Sequence, residues 1–222
     1  MFDQVKYLDS ITAPMQEKVG LVEPPFQVSC IVMASGFGNR FGSNKLLADF
    51  DGKPLILHIL EQVPFDLLKE VIVVTRYEEV KELLKNYPVT CILHDLPRQS
   101  DTIKIGMDHI SKTQGCMFVT CDQPLRTKDS VTRLISAFQK EKDRIVRLGH
   151  NSFIGNPVIF PKKYYKELRN LQPDEKGATV IKSHPESVIV VQANYSYELL
   201  DVDTKEDLAH LLQIVNQLKS SY

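Results

Sequence analysis

Between Met33 and Leu47 the chain reads MASGFGNRFGSNKLL, so three glycines, Gly36, Gly38 and Gly42, share one short stretch with two cations, Arg40 and Lys45. Glycines placed this way let a chain turn sharply and bring backbone N–H groups close to a phosphate with no Cβ in between. Each cation near the protein surface would contribute about 4 kcal/mol to a close charge pair, before the cost of desolvation. A triphosphate is the kind of ligand that uses several such pairs. The glycines alone do not decide the matter, because GxG after a strand also opens dinucleotide-binding folds. A tight turn with solvated cations would read the same way. The small-residue entrance Ala34-Ser35-Gly36, combined with Arg40 and Lys45, favours the triphosphate.

Two acidic segments could complete such a site. In VTCDQPLRT, Val119 to Thr127, Asp122 ends an apolar run and Pro124 turns the chain away. Open α/β sheets place ligands at such strand ends, and a carboxylate there suits Mg²⁺, which uses one or two carboxylates plus substrate phosphates. A plain turn-capping aspartate is the bland alternative. In LLDVDTKEDL, Leu199 to Leu208, Asp201 and Asp203 alternate along an extended stretch and so point to one side. They could join Asp122 around a metal, or Asp203 and Thr204 could simply start the last helix. The histidines His58, His94, His109, His150 and His184 are not at metal-ligand spacing and read as ordinary surface or core polar groups. No GxSxG elbow, HExxH helix or GK[ST] loop is present.

The elements that must position these residues alternate. VSCIVM (Val28 to Met33), VIVVT (Val71 to Thr75), VTCIL (Val89 to Leu93) and CMFVT (Cys116 to Thr120) read as buried strands. Helical stretches are expected from Pro54 to Leu60, along EEVKELLKNY, from Thr102 to Ile110 and from Asp129 to Lys140. Further on, short strands near Pro157 to Phe160 and Ser187 to Val191 are separated by helix-like KKYYKELRN and GATVIKSH, and a last helix runs from Thr204 to Leu218. The pattern predicts a three-layer, Rossmann-like α/β fold with a mostly parallel, mixed sheet. One domain from 28 to 222 is expected, with an excursion around Lys142 to Lys176. Residues 1–27, containing Pro24-Pro25, read as an N-terminal extension, a short helix or a loose arm.

Lysine plus arginine (27) nearly balance aspartate plus glutamate (28), so no global field favours nucleic acid or an anionic membrane. Any anion site must be built locally. The N-terminus carries charges throughout, which excludes a signal peptide and a membrane span there and points to the cytoplasm. Cys30, Cys91, Cys116 and Cys121 lack CxxC spacing and read as reduced core thiols.

The segment from Met33 to Lys45 resembles the signature of the molybdenum-cofactor nucleotidyltransferases, with Met33 for leucine and Ser35 for alanine. VTCDQP is similar to that family's glycine-aspartate-X-proline motif, with Cys121 for glycine, and DVDTKED to its aspartate-X-aspartate-threonine segment, with Lys205 for proline. The resemblance runs from about Val28 to the C-terminus. It implies a loop (Ala34, Ser35, Gly36, Gly38, Gly42) that wraps the triphosphate, Arg40, Lys45 and Asp122 as catalytic residues, and Mg²⁺ held by Asp122 with Asp201 and Asp203. Ser100, in RQSDTIKIGM, would touch the nucleotide, although a plain N-cap role accounts for it and Thr102 equally well. GNPVIF and DEKGATVIK are similar to acceptor-side segments, which assigns Asn156 and Pro157 to the acceptor, with Asn156 for histidine and Thr179 for arginine. Ser35 leans to CTP. The implied activity is cytidylyl transfer to a molybdopterin-type cofactor with loss of pyrophosphate, the product serving a molybdenum hydroxylase client. The alternatives are transfer to a sugar or polyol phosphate, a non-catalytic molybdenum-cofactor chaperone, and a dinucleotide-dependent oxidoreductase prompted by the glycines and Arg76.

Overall fold

A computed structural model describes residues 27–220, so the expected helix or arm at 1–26 lies outside the described residues. The first strand, β1 (Val28–Ala34), is followed by the glycine-rich loop and a two-stranded ribbon of β2 (Asp49–Phe50) and β3 (Lys53–Pro54). Next come α1 (Leu55–Glu61), β4 (Glu70–Thr75), α2 (Glu78–Leu83), β5 (Thr90–Leu93), α3 (Gln99–His109), β6 (Gly115–Thr120) and α4 (Lys128–Lys140). The last third supplies β7 (Ile145–His150), β8 (Phe153–Pro161), α5 (Tyr165–Arg169), α6 (Gly177–Ser183), β9 (Val188–Gln192) and α7 (Lys205–Ser220).

One seven-stranded sheet runs β5-β4-β1-β6-β8-β7-β9. β4, β5 and β6 join β1 in parallel register, whereas β8 is antiparallel to both its neighbours and β7 pairs parallel with β9. Strand side chains alternate between two apolar layers. Cys30 and Val32 of β1 pack with α1, α2 and α4, while Ile31 packs with α3, α5 and α6 on the other face. The three-layer expectation holds. The α3 layer lies very close to β1, since a Cβ at Gly106 would come within 2.8 Å of Ile31 Cγ2. From β1 the chain steps outward to β4 and β5 and then returns to the far side of β1 for β6. The strand order therefore switches beside β1, where a crevice opens at the carboxyl ends of the strands.

Two segments differ from the sequence expectation. The supposed excursion at 142–176 contains an interior strand, β7, one in from the β9 edge, whose Ile145, Val146 and Leu148 are all fully buried. Arg147 and Gly149 interrupt its apolar run and hide it. β8 is also longer than expected, nine residues, and starts at Phe153. α3 begins at Gln99 rather than Thr102, because the Asp101 carboxylate accepts from the Arg98 amide at 3.1 Å and caps the first turn. The four cysteines are free, and Cys30, Cys116 and Cys121 are buried in the core as expected.

Candidate active site

The glycine-rich loop leaves β1 beside the end of β4, with Ala34 in register with Thr75. Three consecutive side chains there hold three consecutive carbonyl oxygens of the loop entrance. Thr75 Oγ1 donates to Ala34 O at 2.9 Å, Arg76 Nε to Ser35 O at 2.8 Å and the Tyr77 hydroxyl to Gly36 O at 2.8 Å. Arg76 also donates from Nη2 to Leu96 O at 2.7 Å, and its guanidinium lies 3.6 Å from the Phe37 ring centroid, a cation–π contact. The Arg76 that prompted an oxidoreductase reading thus ties the loop to the segment before α3.

The loop then turns through Gly38 (φ +61°) and Gly42 (φ +78°), with the amides of Phe41 and Gly42 both donating to Gly38 O. A Cβ at Gly38 would lie 2.8 Å from Ser43 O, so this turn requires glycine. Phe41 is buried with Phe50, Leu55, Val202 and Leu211, and this cluster ties the loop to α7. Burying such a side chain contributes about 1.5–3 kcal/mol. Gly36 differs from the other two. Its φ is not positive, and a Cβ there would meet nothing within 4 Å. Neither conformation nor packing demands glycine at 36, and the space it leaves open is the cleft.

The acidic segments meet under this loop. The Val202 amide donates to Asp122 O at 2.7 Å, and Lys45 Nζ donates to Val202 O at 2.7 Å. Asp203 pairs with Arg40 Nη2 at 2.7 Å and with Lys45 Nζ at 3.6 Å. The Arg40 side chain is 72% exposed, and an ion pair so exposed is worth about 0–1 kcal/mol, which leaves Arg40 free to exchange Asp203 for a ligand phosphate. Asp201 instead accepts from Gln123 Nε2 at 2.8 Å. Loss of water around its carboxylate, and then the charge of Asp122, push the Asp201 carboxyl above its ordinary value.

Asp122 Oδ1 is buried and has no hydrogen-bond partner. A hard divalent cation between Asp122 and Asp201 would satisfy the orphaned oxygen and relieve the repulsion, so these residues fit Mg²⁺. Asp203 is not part of that pair. Among the described residues no three acidic, histidine or cysteine groups converge on one point; Asp203, whose charge also helps to raise the Asp201 carboxyl, is paired with Arg40 and Lys45.

Arg126 braces the Asp122 turn from below. Its side chain is buried, Nη2 donates to Thr120 O at 3.0 Å, and Nε donates to Gln62 Oε1 at 3.0 Å. Burial lowers the Arg126 pKa, and the neighbouring Asp122 charge works against that shift. Burial also pushes the adjacent Cys121 thiol up to about 12, which keeps it protonated. Nothing local in the sequence marked Arg126.

Two adjoining cavities open from this floor. The first, about 290 Å³, is lined by Ser35, Gly36, Phe37, Lys45, Arg98 and Asp122, among others. The second, about 280 Å³, is lined by Asn156, Arg147, Lys176, Val158, Phe160 and others, and shares Met33, Gln99, Thr120 and Asp122 with the first. Ser100 reaches neither cavity. It is fully buried with its hydroxyl on Pro173 O at 3.1 Å, because α3 starts one residue before it and turns it inward. Gln99 and Thr102 line the first cavity instead. Pro157 is buried behind Asn156, and Thr179 Oγ1 caps α6 by accepting from the Lys176 amide at 3.4 Å. His94, read from the sequence as an ordinary polar residue, places Nε2 2.7 Å from Ser35 Oγ, which also donates to Val74 O at 2.9 Å.

A phosphate-type loop, paired carboxylates and two cavities at the switch point of an open α/β sheet define a nucleotide-binding group-transfer protein. The chain belongs to the MobA-like NTP transferase domain family, whose model matches residues 30–188, and it is a nucleotidyltransferase. It is 31% identical over 187 residues to a Bacillus cereus protein named a probable molybdenum cofactor guanylyltransferase, spanning 80% of this chain and 92% of the relative. An Aquifex aeolicus protein of the same name is 26% identical over 192 residues, spanning 85% of this chain and 92% of the relative. Among solved structures, an Rv0371c homologue from Mycobacterium sp. strain JC1 superposes with a TM-score of 0.74 at 23% identity, covering 86% of this chain and 98% of that one. A nucleotidyl transferase from Methanothermobacter gives 0.73 at 20% identity, covering 86% and 99%. These relatives support transfer of a nucleotide but not the leaning to CTP, since the curated ones carry a guanylyl name. No helix among the described residues is long and apolar enough to cross a membrane.

Proposed function

We propose that this chain moves a nucleoside monophosphate from a nucleoside triphosphate to the terminal phosphate of molybdopterin, releasing pyrophosphate. The observation that carries the reading is the shared wall: the glycine loop with Lys45 lines one cavity, Arg147 and Lys176 line the other, and Asp122 belongs to both. The triphosphate takes Lys45 and Arg40, and an acceptor phosphate oxygen attacks the α-phosphorus in line as the bond to pyrophosphate breaks. The nucleophile is already anionic and needs no general base. Positioning and charge neutralisation therefore carry the rate. Mg²⁺, when bound, spreads the charge of the triphosphate, and Asp122 with Asp201 would hold it.

The second cavity favours a flat ring system over a polyol. Phe118, Val158, Phe160 and Leu168 form an apolar wall against which a ring can lie, and a polyol hydroxyl turned toward that wall, away from Gln99, Asn156 and the charged lining, would lack a partner at about 1–3 kcal/mol. For the donor, CTP is favoured only by the resemblance at Ser35 in the cleft lining. A second reading, GTP, is favoured by the names of the curated relatives.

The test is pyrophosphate release with CTP, GTP, ATP and UTP, each with Mg²⁺, with and without molybdopterin, in the wild type and Asp122→Asn. Release that requires molybdopterin and Asp122 supports the reading, and the rates rank the bases. Release only with a sugar or polyol phosphate discards the acceptor. Cofactor binding with no release under any pairing replaces the reading with a chaperone.

A further inference from the structure

Arg147 stands in the middle of β7, between Val146 and Leu148, which are fully buried on the opposite face. Its own side chain faces the layer of Val158 and Phe160, with which it lines the second cavity. A leucine or methionine would serve this interior strand better, because a half-buried guanidinium loses hydration that only a partner can restore. The partner is missing. Nη2 donates to Gly155 O at 3.2 Å, Nε is buried with no acceptor, and no carboxylate among the described residues forms an ion pair with Arg147. Burial accordingly lowers its pKa. Lys176 contributes a second cation to the same cavity, exposed and likewise in no ion pair among the described residues.

We infer that Arg147, assisted by Lys176, is the binding site for the phosphate of the acceptor substrate. Nη1, which is in no hydrogen bond among the described residues and is not one of the buried atoms, offers charge-assisted donors at the cavity, which suits a phosphate better than an uncharged group. Asp122 lines the same cavity, where its carboxylate charge would repel an anion, so the two cations of the lining are what make an acceptor phosphate admissible there. The acceptor class is an organic monophosphate with a largely apolar or planar body. The acceptor's chemical identity rests on the proposed function, whereas the anion site itself does not.

The probe is inorganic phosphate titrated into isotopically labelled protein, followed by the Arg147 Nε–H resonance and the amides of β7 and β8. Saturable shifts there, weakened roughly tenfold or more in Arg147→Met and partly recovered in Arg147→Lys, are expected. In turnover, Arg147→Met raises KM for molybdopterin by a similar factor and leaves KM for the nucleotide unchanged. Shifts confined to the 36–45 loop, an unchanged affinity in Arg147→Met, or acetate binding as tightly as phosphate would overturn the assignment. Phosphate binding that depends on Arg147 in a protein that never releases pyrophosphate keeps this site and removes the proposed function. Molybdopterin turnover with an unaltered KM in Arg147→Met does the reverse.

Discussion

The backbone amide of Val202 donates to the carbonyl oxygen of Asp122 at 2.7 Å, while the carbonyl of the same Val202 accepts Lys45 Nζ. One buried residue thereby sets the spacing between the candidate metal ligand and the cation of the glycine loop. Because the bond to Asp122 is a main-chain one, side-chain changes at Asp122 leave it in place.

Asp122→Asn should therefore fold normally, and both it and Lys45→Ala should lose about 10²–10³ in kcat, the usual effect of removing a group that neutralises transition-state charge. Pyrophosphate release and thermal melts on the same preparations check this. Near-normal turnover in both variants would remove these residues from the mechanism.

The glycines should separate by role. Gly36→Ala keeps stability within about 0.5 kcal/mol of the wild type, since its Cβ meets nothing, yet weakens nucleotide binding about tenfold. Gly38→Ala, at φ +61° and 2.8 Å from Ser43 O, loses about 1–3 kcal/mol. Urea midpoints and nucleotide titrations measure the two effects independently.

Arg76→Met removes the link between Ser35 O and Leu96 O together with the Phe37 contact. KM for the nucleotide should rise about tenfold with a smaller change in kcat, because the lost bonds organise the loop before chemistry. An unchanged KM would mean that the loop is held without this clamp.

Burial, and then the Arg76 charge, hold the His94 imidazole below its ordinary value. As pH falls through about 6.5, the unfolded chain gains a proton that the folded chain refuses. Stability should decline from pH 7 toward pH 5, and His94→Gln should flatten part of that decline. His58, also lowered chiefly by burial, keeps its own share. Equal slopes of urea midpoint against pH in wild type and variant would contradict this account.

The carboxylates offer a further test. Added Mg²⁺ should raise the melting temperature of the wild type by binding the folded state, and Asp201→Asn should abolish the rise while leaving the Lys45 and Val202 contact intact. A rise of equal size in Asp201→Asn would place the cation elsewhere.

What was legible in the amino-acid order was whatever is written locally. Apolar runs such as Val28 to Met33 make buried strands, glycines interleaved with Arg40 and Lys45 mark a turning, cation-bearing loop after the first strand, and Asp122 with Pro124 marks the end of another strand. These needed only neighbours within a few residues. β7 was illegible because Arg147 breaks its hydrophobic period, and a charge inside a strand makes sense only once the cavity it faces is known. Ser100 fits a nucleotide contact or a plain N-cap equally well in sequence, and the start of α3 at Gln99 turns it instead toward Pro173. The sharing of Asp203 between Arg40 and Lys45, the carbonyl clamp of Thr75, Arg76 and Tyr77, and the bond from His94 to Ser35 all join segments remote in the chain. Local patterning chose the elements and the chemistry of the loop. Only the packing of the sheet, which decides which strand ends stand side by side, determined the partners of each charge.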